Sequence, residues 1–364
     1  MRKILFFTII LFVATGCGAV VSAEDEGTQY QADICEPADE ILPGVESEPY
    51  DTIITEPAAV QNDMDNSLLE ENHRVMQAAR YFAAVDELFD EDSGLLWGFK
   101  LHVPIMFVDT ETREVIANRP DPNGLMARQG AVYVGVLPDY LDFDFMTYEY
   151  FGGELWIIMP WQMSWFWHNE RGFRRAIFHK AIHWHQLNMT FGYLAPWCIG
   201  HMNESEACIS IRLEINALMQ AFDTADEERR LSAIHDALSI RAERRRVFDR
   251  GTDENRQEII EGLAQYTEWI LTAHTNSRIL ENMRYWARDM VGEGREREFF
   301  YLSGALYAFL LNETGVTWKP GLTQAYSDLG QLLKEVVGIT ELRDFNEIDL
   351  TKYGYNRIAR AERG

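Results

Sequence analysis

Cysteine and basic residues are both scarce in this sequence. Four cysteines among 364 residues are too few for a fold built on disulfides or for a thiolate metal cluster. Lys and Arg number 33 against 58 Asp and Glu, which gives a formal net charge of −25. A nucleic-acid-binding protein needs a basic surface to meet phosphates, so nucleic acid is excluded as a partner. No fixed repeat period runs along the chain, which argues against solenoid, collagen-like and coiled-coil architectures.

Long hydrophobic runs are also missing, with one short exception at the N-terminus. The run Ile4–Val13 follows two basic residues and is too short to span a bilayer. It predicts a signal peptide over residues 1–23 and an extracytoplasmic protein of a bacterial cell envelope. Ala14–Cys17 resembles a lipobox, in which Cys17 is lipidated and anchors the protein to the membrane. Val21–Ala23 resembles an ordinary signal-peptidase site, which leaves a secreted protein as the alternative.

Lys and Arg are absent altogether from Glu24 to His73, a stretch that contains fifteen acidic residues. A chain of like charges cannot bury enough apolar surface to offset the entropy lost on ordering. We therefore expect an acidic disordered linker over residues 24–66 and a folded domain over residues 67–364. A partner-binding acidic tail is the alternative interpretation of the linker.

The apolar pattern of the folded part predicts an α+β protein, with a small N-terminal mixed sheet followed by a mainly helical body. Helical spacing covers Leu68–Phe89, and alternating or apolar segments predict strands at Leu101–Val108, Val115–Ala117, Ala131–Val136 and Glu154–Pro160. Helices are predicted at about 171–190, 204–222, 226–248, 253–274, 276–291, 297–312 and 321–336.

Two histidines on the first helix of that body suggest a metal site. His179 and His183 are four residues apart, so both imidazoles project from one face of a helix. The zinc motif H-E-x-x-H uses this spacing, and its glutamate acts on the metal-bound water. Here Lys180 occupies the glutamate position. Two core histidines that bind backbone carbonyls are the simpler alternative.

A second motif lies eighty residues later, where Glu261 is followed by Gly-Leu-Ala-Gln-Tyr. A histidine-pair helix followed by an E-G-x-A-x-Y helix resembles the peptidase MA-like gluzincins, which are zinc peptidases. The resemblance implies a zincin-like fold and a zinc ion held by His179, His183 and Glu261. It also implies that Leu155–Met159 is an edge strand beside the histidine helix. Lys180 stands where the family has its catalytic base, which predicts loss of peptidase activity.

The surroundings of this site leave several interpretations open. Glu206 and Glu214 lie eight residues apart on one helical face and are candidates to orient the histidines, as is Tyr266. Alternatively, Glu214 pairs with an arginine of the Arg241–Arg246 run. A disulfide between Cys198 and Cys208 is allowed outside the cytosol.

Lys180 itself has three interpretations. It forms an ion pair with Glu261 or another carboxylate, it sits beside zinc and weakens metal binding by repulsion, or it acts as a neutral base. His168 and His201 are expected at the surface or in loops. His185 is expected to point away from the pair, because each residue turns a helix by about 100°.

Three functions follow from these residues. The preferred hypothesis is a peptidase-inactive gluzincin-like pseudoenzyme that acts as a binding protein for a peptide or protein ligand or retains its metal, which would be zinc. The second is an active zinc metallohydrolase in which Glu206 or Glu214 supplies the base. The third is a metal-free structural surface lipoprotein.

Overall fold

The computed structural model describes residues 66–363, except for 142–145, 162–169, 189–198, 274, 290–296 and 323–326. Contacts divide the chain into two units, Met1–Glu36 and Pro37–Gly364, and every described residue belongs to the second. The predicted signal peptide, the lipobox cysteine Cys17 and residues 24–65 of the predicted linker lie outside the described residues. Cys198 and His168 lie outside them too.

A long helix, α1 (Asn66–Asp92), opens the described chain. Ala78, Phe82 and Val85 recur at helical spacing and are buried against the sheet that follows. The helix ends at Ser93, whose φ is positive, and the Asp92 carboxylate accepts the backbone N–H groups of Gly94 and Leu96. α1 thereby covers one face of the sheet.

The sheet has six strands in the order β3-β4-β2-β1-β6-β5. β1 and β6 are parallel and every other pair is antiparallel. The strands are β1 (Ile105–Val108), β2 (Glu114–Ala117), β3 (Ala127–Gln129), β4 (Val132–Val136), β5 (Thr147–Phe151) and β6 (Glu154–Pro160).

The edge position expected for Leu155–Met159 is wrong. That segment lies in β6, which pairs on one side with β1 and on the other with β5. β5 is the edge strand on this side of the sheet. It is only partly buried, and its sequence Thr-Tyr-Glu-Tyr-Phe carries no apolar run that would have predicted it.

Helices follow the sheet, which confirms the predicted α+β order. They are α2 (Glu170–Asn188), α3 (Ser205–Asp223), α4 (Glu227–Phe248), α5 (Gly251–Gln257), α6 (Leu263–Thr272), α7 (Asn276–Asp289), α8 (Glu298–Glu313), α9 (Leu329–Val336) and α10 (Tyr355–Arg363). A π-helical segment, Glu258–Gly262, joins α5 to α6. Of the described helices, none is both long and apolar enough to cross a bilayer.

The apolar interior has two main parts that meet at α6. In the sheet core, α1 and α2 pack on one face of the sheet, and Ala264 of α6 reaches into it. In the helical core, Leu263, Tyr266 and Trp269 of the same helix pack among α3, α4 and α8. α2 packs directly against α6, so the histidine helix lies at the boundary between the two cores.

Candidate metal centre

The two histidines of α2 lie on one buried face of a continuous helix. Phe173, Ile177 and Ala181 recur every four residues and pack into the sheet core, which leaves a different face of α2 for the histidines. His179 and His183 are each at most 3% exposed. Their Nε2 atoms are 3.1 Å apart. The helix predicted from the sequence at about 171–190 is therefore present and directs both imidazoles to one point.

Glu261 meets the histidine pair from the π-helical segment. Its Oε2 lies 3.2 Å from Nε2 of His183 and 3.7 Å from Nε2 of His179. The three residues form a buried group whose ligand atoms all lie within 4.8 Å of one another. A π turn widens a helix by one residue and is found mostly at functional sites. The turn thus sets the direction in which Glu261 projects.

The separations within this group suit a metal ion. Zinc bonds of about 2.0–2.1 Å to nitrogen and oxygen in a tetrahedron place neighbouring ligand atoms about 3.3–3.4 Å apart. The observed values of 3.1, 3.2 and 3.7 Å bracket that distance. Moreover, Oε2 of Glu261 is buried and receives no hydrogen bond from any described residue. A buried carboxylate oxygen in this state has room for a partner such as an ion, and the residues fit a metal ion.

Two residues contact His179 away from its metal-facing nitrogen, Nε2. Nδ1 of His179 lies 3.4 Å from Oε2 of Glu268, and the other oxygen of Glu268 accepts a hydrogen bond from Arg175. The ring of Tyr301 lies nearly parallel to the imidazole, with the ring centroids 5.8 Å apart. Carboxylates that contact a ligand histidine in this way orient the ring and raise its basicity.

These carboxylates also set the charge of His179. Burial lowers the pKa of His179, but Glu261 and Glu268 outweigh burial and raise the pKa to about 9. Burial likewise raises the pKa of Glu261, yet His183 and His179 bring that pKa well below its ordinary value. At neutral pH the metal-free group therefore holds one extra proton on His179 beside an ionised Glu261.

Gln186 holds His183 one turn further along α2. Its Oε1 lies 2.8 Å from Nδ1 of His183, and its Nε2 donates to the carbonyl oxygens of Ile259 and Ile260, at 3.0 and 3.1 Å. Gln186 is 1% exposed. It thus contacts both the histidine helix and the π-helical segment that carries Glu261.

Lys180 is buried on the side of α2 that faces β5. Its Nζ lies 5.4 Å from the ring centroid of Tyr148, and the Tyr148 hydroxyl donates to the Lys180 carbonyl oxygen at 3.0 Å. Within the described chain, the ion-pair partners of Glu261 are His179, His183 and, at 3.8 Å, Arg297. The Lys180–Glu261 pair allowed by the sequence is therefore wrong. Arg297, which directly precedes α8, lies near Oε1 of Glu261, the oxygen that the histidines do not approach.

Glu206, Glu214 and Tyr266 do not join the metal-site group. Glu206 lies at the surface and accepts hydrogen bonds from Arg363 of α10. Tyr266 is fully buried, and its ring packs edge-on against Phe309 in the helical core. Eight-residue spacing on α3 aligns the two glutamates, but α3 packs against α4 and α10 rather than α2. The expectation that these residues orient the histidines is not met.

Glu214 belongs instead to a buried ionic cluster, as the alternative interpretation proposed. It is 0% exposed and pairs with Arg241 and Arg244 of α4, and it accepts a hydrogen bond from Tyr307 at 2.7 Å. The cluster continues through further charged residues: Arg245, Glu254, Glu258 and Asp328. Three arginines, of which Arg241 and Arg244 are buried, thus face four carboxylates.

The other histidines near this region have separate roles. His185 packs against Phe99, with ring centroids 4.6 Å apart, and burial lowers its pKa to about 4. His201 is buried rather than at the surface, and its Nε2 lies 3.0 Å from Glu254 of the ionic cluster. Sequence spacing gives no indication of that partner, which is 53 residues away.

Sequence reasoning missed Glu268, Gln186 and Arg175. Each could have been found by helical spacing from a predicted ligand. Glu268 lies seven residues after Glu261, Gln186 three after His183, and Arg175 four before His179, so each shares a helix face with a ligand.

No family model matches this chain, and neither a curated protein nor a solved structure matches it. The function proposed below therefore rests on the geometry of the His179–His183–Glu261 group.

Proposed function

We propose that this chain binds one zinc ion through His179, His183 and Glu261 in a gluzincin-like site and does not hydrolyse peptides. It acts as an extracytoplasmic binding protein for a peptide or protein ligand. One observation carries the zinc assignment. The buried Oε2 of Glu261 has no hydrogen-bond donor among the described residues and lies at ligand-to-ligand distance from two imidazole nitrogens. Zinc, when bound, supplies a Lewis-acidic positive centre there.

The lack of peptidase activity follows from the residue after His179. A zinc peptidase needs a carboxylate that takes a proton from water and passes it to the leaving amine, which is worth about 10²–10⁴ in rate. Lys180 holds that position, and a lysine ammonium has no lone pair with which to accept the proton. Glu214 is an unfavourable substitute, because Arg241 and Arg244 already bind its carboxylate. The active-hydrolase alternative thus has no carboxylate to support it among the candidates from the sequence.

Metal analysis of the purified full chain tests the zinc site. We expect one zinc per chain after incubation with zinc and removal of excess metal, and less than a tenth of that for His183→Gln. His185→Gln is a matched control, because His185 lies on the same helix but packs against Phe99. It should retain full stoichiometry.

If the native chain takes up no zinc, the metal-free structural alternative is correct. A specific observation favours that alternative, because a protonated His179 beside an ionised Glu261 leaves the group nearly neutral without metal. Equal zinc uptake by native protein and His183→Gln would place the metal elsewhere.

Peptide hydrolysis tests the second half of the proposal. With added zinc, the native chain should cleave a mixed peptide library no faster than buffer. Lys180→Glu restores the H-E-x-x-H sequence and should raise zinc affinity, because it replaces a buried cation with a carboxylate. Chelator-sensitive cleavage by the native chain, unchanged in Lys180→Ala, would show that another residue is the base.

A further inference from the structure

Gln186 hydrogen-bonds both to a histidine of the proposed zinc site and to the backbone of the π-helical segment. It is buried, and all of its polar atoms have partners. It lies outside the ligand group and one helical turn beyond His183.

The orientation of the Gln186 amide is fixed by its partners. Carbonyl oxygens only accept hydrogen bonds, so the atom facing Ile259 and Ile260 is the NH₂ group. The amide oxygen must then face Nδ1 of His183, at 2.8 Å. An amide oxygen only accepts, so Nδ1 of His183 carries the hydrogen. In the neutral imidazole, Nε2 of His183 then presents its lone pair to Glu261 and His179, which is the form that binds a metal.

The same amide holds the backbone that positions Glu261. Its two hydrogen bonds end on consecutive carbonyls at the centre of the π segment, directly before Glu261. Side chains inserted beside a helix backbone are a recognised cause of local departures from α-helical geometry. The opposite side of the segment is closed by α8, where Gly262 and Gly304 meet with no room for a Cβ. The π turn is therefore held between Gln186 and α8.

We propose that Gln186 is a positioning residue that couples the two halves of the metal site. Its amide oxygen selects the metal-binding tautomer of His183, and its NH₂ group holds the π turn that aims Glu261. The zinc-affinity part of this inference rests on the proposed function. The Nδ1–Gln186 hydrogen bond and the backbone coupling do not, because both are present in the metal-free structure.

Two variants separate the roles of the amide. Gln186→Met removes both the acceptor and the donors at nearly constant volume. Gln186→Glu keeps an acceptor for His183 but loses both donors to the π segment. We expect zinc affinity to fall about 10–100-fold in Gln186→Met, the usual cost of losing a group that orients a ligand. Gln186→Glu should lie between Gln186→Met and the native chain. Gln265→Met is the matched control, because Gln265 is equally buried and its Nε2 has no acceptor among the described residues.

The metal-free protein provides the second readout. Hydrogen exchange of the peptide that contains Glu258–Leu263 should become faster by at least tenfold in both Gln186 variants and stay unchanged in Gln265→Met. Nitrogen-15 shifts of the native protein should show the Nδ1–H tautomer for His183. Circular dichroism melting of each variant establishes that it is folded.

The coupling is wrong if either Gln186 variant exchanges the π segment at the native rate, or if His183 is the Nε2–H tautomer. It is also wrong if Gln186→Met binds zinc as tightly as the native chain. A native chain that binds no zinc refutes the proposed function instead. The exchange and tautomer results then still decide whether Gln186 holds the π turn.

Discussion

The Glu268 carboxylate lies behind His179, on the side away from the other ligands, and Arg175 holds it there. Burial raises the pKa of Glu268, but Arg175 and His179 outweigh burial and lower it to about 2. The carboxylate is therefore ionised at every pH at which the protein is expected to work. A permanently charged partner fixes the imidazole and makes its free nitrogen a stronger donor to a metal.

Glu268→Gln should therefore weaken zinc binding by about 10–100-fold while the chain remains folded. The amide keeps the size of the side chain and removes its charge. Competition with a zinc-sensitive dye measures the affinity. Glu206→Gln serves as the control, because Glu206 pairs with Arg363 at the surface. Equal losses in the two variants would show that the effect is not specific to His179.

Protons should compete with zinc at this site. The pKa of His179 is raised to about 9, so below pH 9 zinc must displace a proton from this histidine. We expect the affinity to fall by about tenfold for each pH unit between pH 8.5 and 6.5. Calorimetry at pH 7.5 in buffers with different ionisation enthalpies should give about one proton released per zinc. Zinc binding without proton release would mean that His179 is neutral or is not a ligand.

At the scale of single elements, the backbones of the π segment and α8 approach each other too closely for a Cβ to fit between them. A Cβ on Gly262 would lie 2.5 Å from the Cα of Gly304, and a Cβ on Gly304 would lie 2.6 Å from the carbonyl oxygen of Glu258. Backbone atoms cannot move aside as the end of a side chain can. Both positions therefore require glycine for close approach rather than for an unusual φ.

Gly262→Ala should lower the free energy of unfolding by about 1–3 kcal/mol, the usual cost of overpacking. It should also reduce zinc affinity, because moving the π segment away from α8 moves Glu261. Urea denaturation and the dye competition assay measure the two effects. Gly200→Ala is the control, because a Cβ there meets nothing within 4 Å. Native stability of Gly262→Ala would show that α8 can shift at little cost.

Sequence patterns predicted the elements that carry their own periodicity. The helix expected at about 171–190 is observed at Glu170–Asn188, because its apolar residues repeat at helical spacing. The helix expected at about 253–274 is interrupted by the π turn at Glu258–Gly262. That interruption depends on Gln186 and Gly304, which are distant in sequence, so no local pattern reveals it.

The metal site, like the helices, was predictable only where its residues follow a local sequence pattern. His179 and His183 follow from spacing on one helix, and the placement of Glu261 beside them came from the resemblance of its motif. The role of Glu206 was not predictable, because its partner Arg363 lies 157 residues away. Residue type and spacing identify candidate ligands, whereas tertiary packing decides which carboxylates face them.

At the scale of the whole molecule, the buried ionic cluster joins four helices. Arg244 is fully buried and contacts Glu214 of α3 and Glu254 of α5. Burial raises the pKa of Glu254, but Arg244, His201 and Arg245 together outweigh burial and lower that pKa well below its ordinary value. Glu254 thus remains charged in the interior and depends on these partners for compensation.

Arg244→Met should lower the free energy of unfolding by about 3–5 kcal/mol, because it removes a buried cation that two buried carboxylates share. Chemical denaturation measures the change. Arg246→Met is the matched control on the same helix, since the Arg246 side chain is 70% exposed and pairs with Glu243 at the surface. It should unfold like the native chain. A small effect of Arg244→Met would indicate that Arg241 and Arg245 compensate for its loss.

The proposed zinc site also lies across the boundary between the two cores. His179 and His183 belong to α2, which packs on the sheet, whereas Glu261 belongs to the segment that packs on α8. Apolar contacts between two cores weaken gradually as the cores move apart. A coordination bond, in contrast, is lost when its length increases by a fraction of an ångström. A bound ion would therefore act as a short tether under mechanical load. The sheet and the helical body could then separate only as fast as the ion dissociates, so metal supply would set the lifetime of the folded chain and not merely its stability.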